Sequence, residues 1–135
     1  MDEFMVSLQT IIQSNIKELD DDLHKLIHEK YRQAIIRTGS WINPRIITVY
    51  ISLYLTGNIS DDSIDSVIYV SVSESNISIR VDIAKSNGEI IEDIWYEEIT
   101  FRDRNEIPAK VDDITKKASE LLAMKLKGLY FGNNQ

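Results

Sequence analysis

Ile46-Ile-Thr-Val-Tyr-Ile-Ser-Leu-Tyr-Leu55 decides the fold. Ile47, Val49, Ile51, Leu53 and Leu55 share one parity, and Thr48, Tyr50, Ser52 and Tyr54 share the other. A β-strand sends successive side chains to opposite faces, so this alternation predicts a strand with one buried face and one open face. The pattern repeats downstream. A second strand is expected from about Ser66 to Val72. In a third, Ile77, Ile79, Val81 and Ile83 alternate with Ser78, Arg80 and Asp82. Gly57-Asn58 with Ser60–Ser63 marks one loop, and Ser73–Asn76 marks a turn. Asn87-Gly88 is the dipeptide a type I′ hairpin prefers, since both of its central residues need positive φ. A fourth strand then covers about Glu89–Phe101. Its alternation breaks in the middle, which a bulge near Asp93 would reconcile.

The flanks change period. From Asp2 to about Arg37, Phe4, Leu8, Ile12, Ile16, Leu19, Leu23, Ile27 and Tyr31 fall three and four apart, as in an amphipathic helix. The period runs through Asp20-Asp21-Asp22 without a slip, which favours one continuous helix over a second one capped there. Gly39, Ser40, Asn43 and Pro44 read as the break before the sheet. After the loop Arg102–Asn105, Pro108 suits the first turn of a closing helix. Its buried stripe is Val111, Ile114, Ala118, Leu121 and Leu122, with Gly128 as a C-terminal cap. Leu129, Tyr130 and Phe131 are expected to fold back on the core, and the polar Asn133–Gln135 to fray. The expected fold is α+β, a single domain over residues 1–135. It is a two-layer sandwich in which an N-terminal helix and a C-terminal helix cover one face of a four-stranded antiparallel meander sheet.

Composition narrows the function. The chain has 135 residues, enough for a proper core, and no cysteine, so disulfides and thiolate metal sites are ruled out. A net charge of −7 argues against direct nucleic-acid binding, which needs a basic footprint. No stretch approaches the roughly 20 apolar residues of a membrane span. The start, Met1-Asp-Glu-Phe-Met-Val, is acidic where a signal peptide is basic, so a cytoplasmic location is expected. Heavy use of Ile, Asp, Ser, Lys and Asn suggests an AT-rich gene of bacterial or phage origin.

Catalytic motifs are scarce. There is no thiol nucleophile, no Gly-x-Ser-x-Gly elbow and no phosphate-cradling glycine loop, so no catalytic residue and no cofactor is assigned. His24 and His28 lie four apart on the first helix, with Asp20 and Asp21 nearby. A metal pair is conceivable, but solvated Asp–His pairing on a helix face explains them as well, and no metal is assigned. The strongest local signal is Glu89-Ile-Ile-Glu-Asp-Ile-Trp-Tyr-Glu-Glu98, with five carboxylates, two aromatic residues and no basic residue. Such a run can simply keep a sheet edge soluble. Aromatic residues within it point instead to a contact surface for a basic protein, so Glu89, Glu92, Asp93, Trp95, Tyr96, Glu97 and Glu98 are the candidate partner-binding residues. The tyrosine face of the sheet is a second candidate surface, and Trp41 reads as core or rim.

In layout the chain resembles bacterial immunity proteins, in particular those of contact-dependent growth inhibition systems. The resemblance covers the leading helix from Phe4, the meander from Ile46 to Phe101 and the closing helix from Pro108. It implies a cytoplasmic antitoxin, a monomer or weak dimer. Such a protein binds one toxin domain, often a basic nuclease, and blocks its active site or its access to substrate. The carboxylates Glu89 to Glu98 would then stand in for nucleic-acid phosphates. A phage or mobile-element protein that binds a host defence component, and a small ligand-binding α+β domain, are the alternatives.

Overall fold

The computed structural model describes residues 2–132, except for the side chain of His28; the tail Asn133–Gln135 lies outside the described residues. Helix α1 runs unbroken from Glu3 to Lys30, with the Asp2 carboxylate accepting from the Phe4 N–H as its cap. It ends seven residues before the expected Arg37. Leu8, Ile12, Ile16, Leu19, Leu23 and Ile27 are buried along its inner stripe, with Met5 joining them. Within the acidic run Asp21 lies exposed on the far side, while Asp20 and Asp22 are half-buried, and one enclosed oxygen of Asp20 lies 3.4 Å from the His24 imidazole.

The sheet has five strands rather than four: β1 Ile35–Ile42, β2 Ile46–Tyr54, β3 Ile64–Val72, β4 Asn76–Lys85 and β5 Ile90–Thr100. They form an antiparallel meander in the order β1-β2-β3-β4-β5. The extra strand is β1, made from residues that look like a helix end and a loop. Gly39 explains the misreading. It stands opposite Tyr50, whose ring and hydroxyl occupy the space a Cβ would need. A glycine within a strand here marks a close approach, not a break.

The Asn87-Gly88 hairpin also departs from expectation. Only Gly88 takes positive φ, and its N–H donates to the Lys85 carbonyl, while the Lys85 N–H donates to the Glu89 carbonyl. This is the three-residue loop with a glycine bulge, in which Asn87 keeps an ordinary φ and its side chain accepts from the Glu89 N–H.

After a 3₁₀ turn, Arg104–Glu106, helix α2 runs from Ile107 to Leu126 with Pro108 in its first turn. Gly128 does not cap it. The chain continues as a π turn, Lys127–Phe131, and the positive φ falls at Gly132. That turn carries Tyr130 and Phe131 back onto the core. The Tyr31 hydroxyl donates to the Tyr130 carbonyl at 2.7 Å, and the Tyr31 and Phe131 rings meet edge to face.

Both helices cover the same sheet face. Ile47, Val49 and Ile51 of β2, Ile68 and Val70 of β3, and Ile77, Ile79, Val81 and Ile83 of β4 form one core with the inner stripes of α1 and α2. Asn15 ties the helices together. Its side-chain amide donates to the buried Thr115 hydroxyl at 2.7 Å and to the Asp112 carboxylate at 3.0 Å. Asn15→Ala is expected to lower the unfolding free energy by about 1 kcal/mol in urea titration, the usual net value of such bonds.

Candidate functional site

The second face of the sheet is left uncovered by the helices. Register places Arg37, Gly39 and Trp41 of β1, Thr48, Tyr50, Ser52 and Tyr54 of β2, and Asp65, Val67 and Tyr69 of β3 on it. Ser78, Arg80, Asp82 and Ala84 of β4 continue the face. Its centre is less wet than its polarity suggests. Thr48, Ser52 and Asp82 are buried among larger neighbours, while Tyr50 and Tyr54 are half-buried. Trp41, 51 % exposed, lies at the rim with its ring 5.7 Å from that of Tyr50.

The acidic segment forms β5, an edge strand, and the structure divides it between two faces. The ladder to β4 shifts between Val81 and Asp82 and again between Ile83 and Ala84. Ile94 and Ile91 are the extra residues, so a bulge does fall beside Asp93, and a second one follows. Bulges with charges are how natural edges avoid pairing with another chain.

Across these shifts, Asp93 faces Asp82, Tyr96 faces Arg80 and Glu98 faces Ser78, all on the uncovered side. Trp95 faces Val81, Glu97 faces Ile79 and Glu92 faces Ile83, on the side of the helices. Glu92 approaches Lys125 of α2 at 3.9 Å, and Glu89, at the hairpin, pairs with Lys85 at 3.3 Å. The seven candidate residues are therefore not one surface. Asp93, Tyr96 and Glu98 come together, and Glu92, Trp95 and Glu97 point away from them.

The two aromatic residues differ accordingly. Tyr96 is 65 % exposed and its hydroxyl donates to Glu98 at 2.6 Å, which holds the phenol in its protonated form and raises its pKa. Trp95 is half-buried against the core, with its indole N–H donating to Glu97 at 3.0 Å. Of the pair, Tyr96 is the one presented as an anchor.

Asp82 is the most perturbed carboxylate of this face. Burial raises its pKa, Arg80 opposes the rise, and Asp93 adds to it. Tyr69 is also pushed up, chiefly by burial and then by the charge of Asp82. Because the folded pKa of Asp82 is raised, its favourable contribution is full below the ordinary carboxylate range and lost as pH rises through the raised value. The ionised group is thus a burden near neutrality. Asp82→Asn is expected to stabilise the fold by about 1 kcal/mol near pH 7, with the gain shrinking towards about pH 3. Urea titrations of both proteins at the two pH values test this. Asp112 works with the opposite sign. Hydrogen bonds from Asn15 and Lys116 lower its pKa, so its contribution is lost only as pH falls through that lowered value.

Elsewhere, the His24 imidazole lies 3.4 Å from the Asp20 carboxylate on α1, and the pairing expected of His28 lies outside what is described. Among the described residues no three His, Asp or Glu side chains are grouped to hold a metal ion, and no helix is long and apolar enough to cross a membrane. No protein-family model matches the chain, and neither a curated protein nor a solved structure is significantly similar to it.

Alternation alone puts Arg80, Asp82 and the β2 tyrosines on the open face, and Trp41 lies at the rim, one of the two places expected for it. Asp65 and Tyr69 join the face by the parity of β3 once its register is known. Arg37 joins it because residues 35–42 form a strand rather than a helix end and a loop.

Proposed function

We propose that this chain is an immunity-type protein that binds a basic toxin domain and covers its active site or substrate-binding surface. The observation that carries the reading is the open sheet face, where Asp93, Tyr96 and Glu98 of β5 adjoin Tyr69, Asp82 and the other outer-face residues of β2–β4. Aromatic anchors amid carboxylates suit a partner whose own site is built to hold phosphates, and the overall charge of −7 would speed the encounter. Stable complexes of this kind bury about 800 Å² per partner, an area that an open five-stranded face can supply. The role is binding, with no catalytic, cofactor or metal chemistry assigned, and a cytoplasmic setting follows from it.

The test is co-expression with the product of the adjacent gene. If that product is a growth-inhibiting protein with a basic domain, the chain should restore growth and co-purify with it one to one. A complex that forms equally well at about 0.05 M and 1 M salt would speak against a charge-matched interface.

A further inference from the structure

The open face holds a buried carboxylate beside a hollow. Asp82 is 1 % exposed, flanked in register by Val67 and Asp93. One of its oxygens, Oδ2, lies 3.4 Å from Arg80 Nε, and the other, Oδ1, has no hydrogen-bond partner. Burying a carboxylate oxygen unpaired is unfavourable, and an apolar residue would ordinarily serve a sheet better at such a point.

Asp82 lines a hollow of ≈ 490 Å³ in the middle of the face, together with Asp65, Tyr50, Tyr54 and Tyr69, with Trp41 at one end. That size lies within the range of small-ligand sites. Its chemistry is that of a cation site, since tyrosine and tryptophan rings attract a cation over their faces and the two carboxylates accept from it. Two cations line the hollow themselves: Lys85, which is engaged by Glu89 at 3.3 Å, and Arg37, an exposed residue of β1 with no ion pair to Asp65 or Asp82. Arg80, beside the hollow, reaches one oxygen of Asp82 only. Asp65 accepts one bond, from the Ser63 hydroxyl at 2.6 Å.

We infer that this hollow receives a single basic side chain of the protein partner, seated between the tyrosine rings and the carboxylates of Asp65 and Asp82. Arginine fits better than lysine. Its planar guanidinium can stack on a ring while its fork of donors serves two carboxylates at once. The inference rests on the reading of the partner as a basic protein, and it locates the point where that partner is gripped. Tyr96, Asp93 and Glu98 lie on the same face, one strand away from Asp82, and would flank the anchor.

The hollow can be tested without the partner. The ¹⁵N-labelled full chain is titrated with arginine blocked at both ends, with blocked citrulline as the neutral control. Saturable shifts are expected at Tyr50, Asp65, Tyr69 and Asp82 with blocked arginine alone, at millimolar affinity. Asp82→Asn should weaken binding about tenfold, the order expected for losing one charged acceptor. Asp65→Asn, at the more open wall, gives the same readout should the Asp82 variant fold poorly. Equal shifts with citrulline, affinity unchanged in the folded variants, or shifts confined to the β5 edge would overturn the inference. So would spermidine binding far more tightly than blocked arginine, which would mark a site for a free amine. Arginine binding with no toxin neutralisation would leave the hollow standing and remove the immunity reading. Neutralisation without arginine binding would do the reverse.

Discussion

Ile51→Asp is expected to remove most of the stability of this protein. Ile51 is 1 % exposed on the inner face of β2, with Thr38 and Ser66 as its register neighbours and α1 lying over this strand. The substitution deletes a packed aliphatic side chain and leaves a carboxylate with no cation beside it in the ladder. Losses of this kind come to about 5 kcal/mol or more, against a total stability of about 5–15 kcal/mol for a domain. Urea unfolding near pH 7 should show the midpoint collapse, and the folded fraction should partly recover at acid pH as the carboxylate is protonated. Tyr50→Ser, one residue away, is expected to cost only about 1–2 kcal/mol, because the ring is half-buried on the open face over Gly39. Equal losses would mean that both faces are covered, and the two-layer architecture would fall. The contrast with Asp82 is instructive. That natural carboxylate is as buried as Ile51, yet it lies on the uncovered face with an arginine at 3.4 Å. Burial among side chains of an uncovered face, with an arginine at hand, is survivable for a charge, whereas burial under a helical layer is not.

Where the period was regular, the residues gave both element and face. The inner residues of β2 and β4, the α1 stripe and the first turn of α2 are placed by alternation or by three-and-four spacing, signals that tertiary context reinforces. The reading failed where one residue had a role that only a distant neighbour defines. Gly39 looks like a loop glycine until Tyr50 is seen lying over it, and with it went the whole of β1. Gly128 looks like a cap, but Tyr31 and Lys30 draw the Tyr130 carbonyl towards α1 and the helix widens into a π turn that ends at Gly132. The candidate surface failed in a different way. Composition counts carboxylates along β5 but not the faces they take, and two bulges separate them. A run of seven candidate residues thus became two groups of three and a hairpin glutamate.

That division makes the second large effect specific. With the cognate toxin domain in hand, two charge reversals can be compared, Asp93→Lys with Glu98→Lys on the open face, and Glu92→Lys with Glu97→Lys on the helix side. Electrostatic steering acts over roughly 8 Å at physiological ionic strength, a range that spans an edge strand, so both pairs belong to one field during the encounter. Both variants are expected to slow association about tenfold at low salt and to flatten its salt dependence. Dissociation depends on contact, and contact has a side. Only the open-face pair should speed it. Tyr96→Ala should do so more strongly, by about thirty-fold, the scale of losing a central aromatic anchor worth about 2 kcal/mol. Trp95→Ala is expected to lower stability through lost packing against the core while leaving the off-rate nearly unchanged. Stopped-flow association and surface-capture dissociation, each with a thermal melt of the same variant, separate these outcomes. If Glu92 and Glu97 control the off-rate instead, the partner sits on the helix side of the β5 edge, and the open face loses its role as the interface.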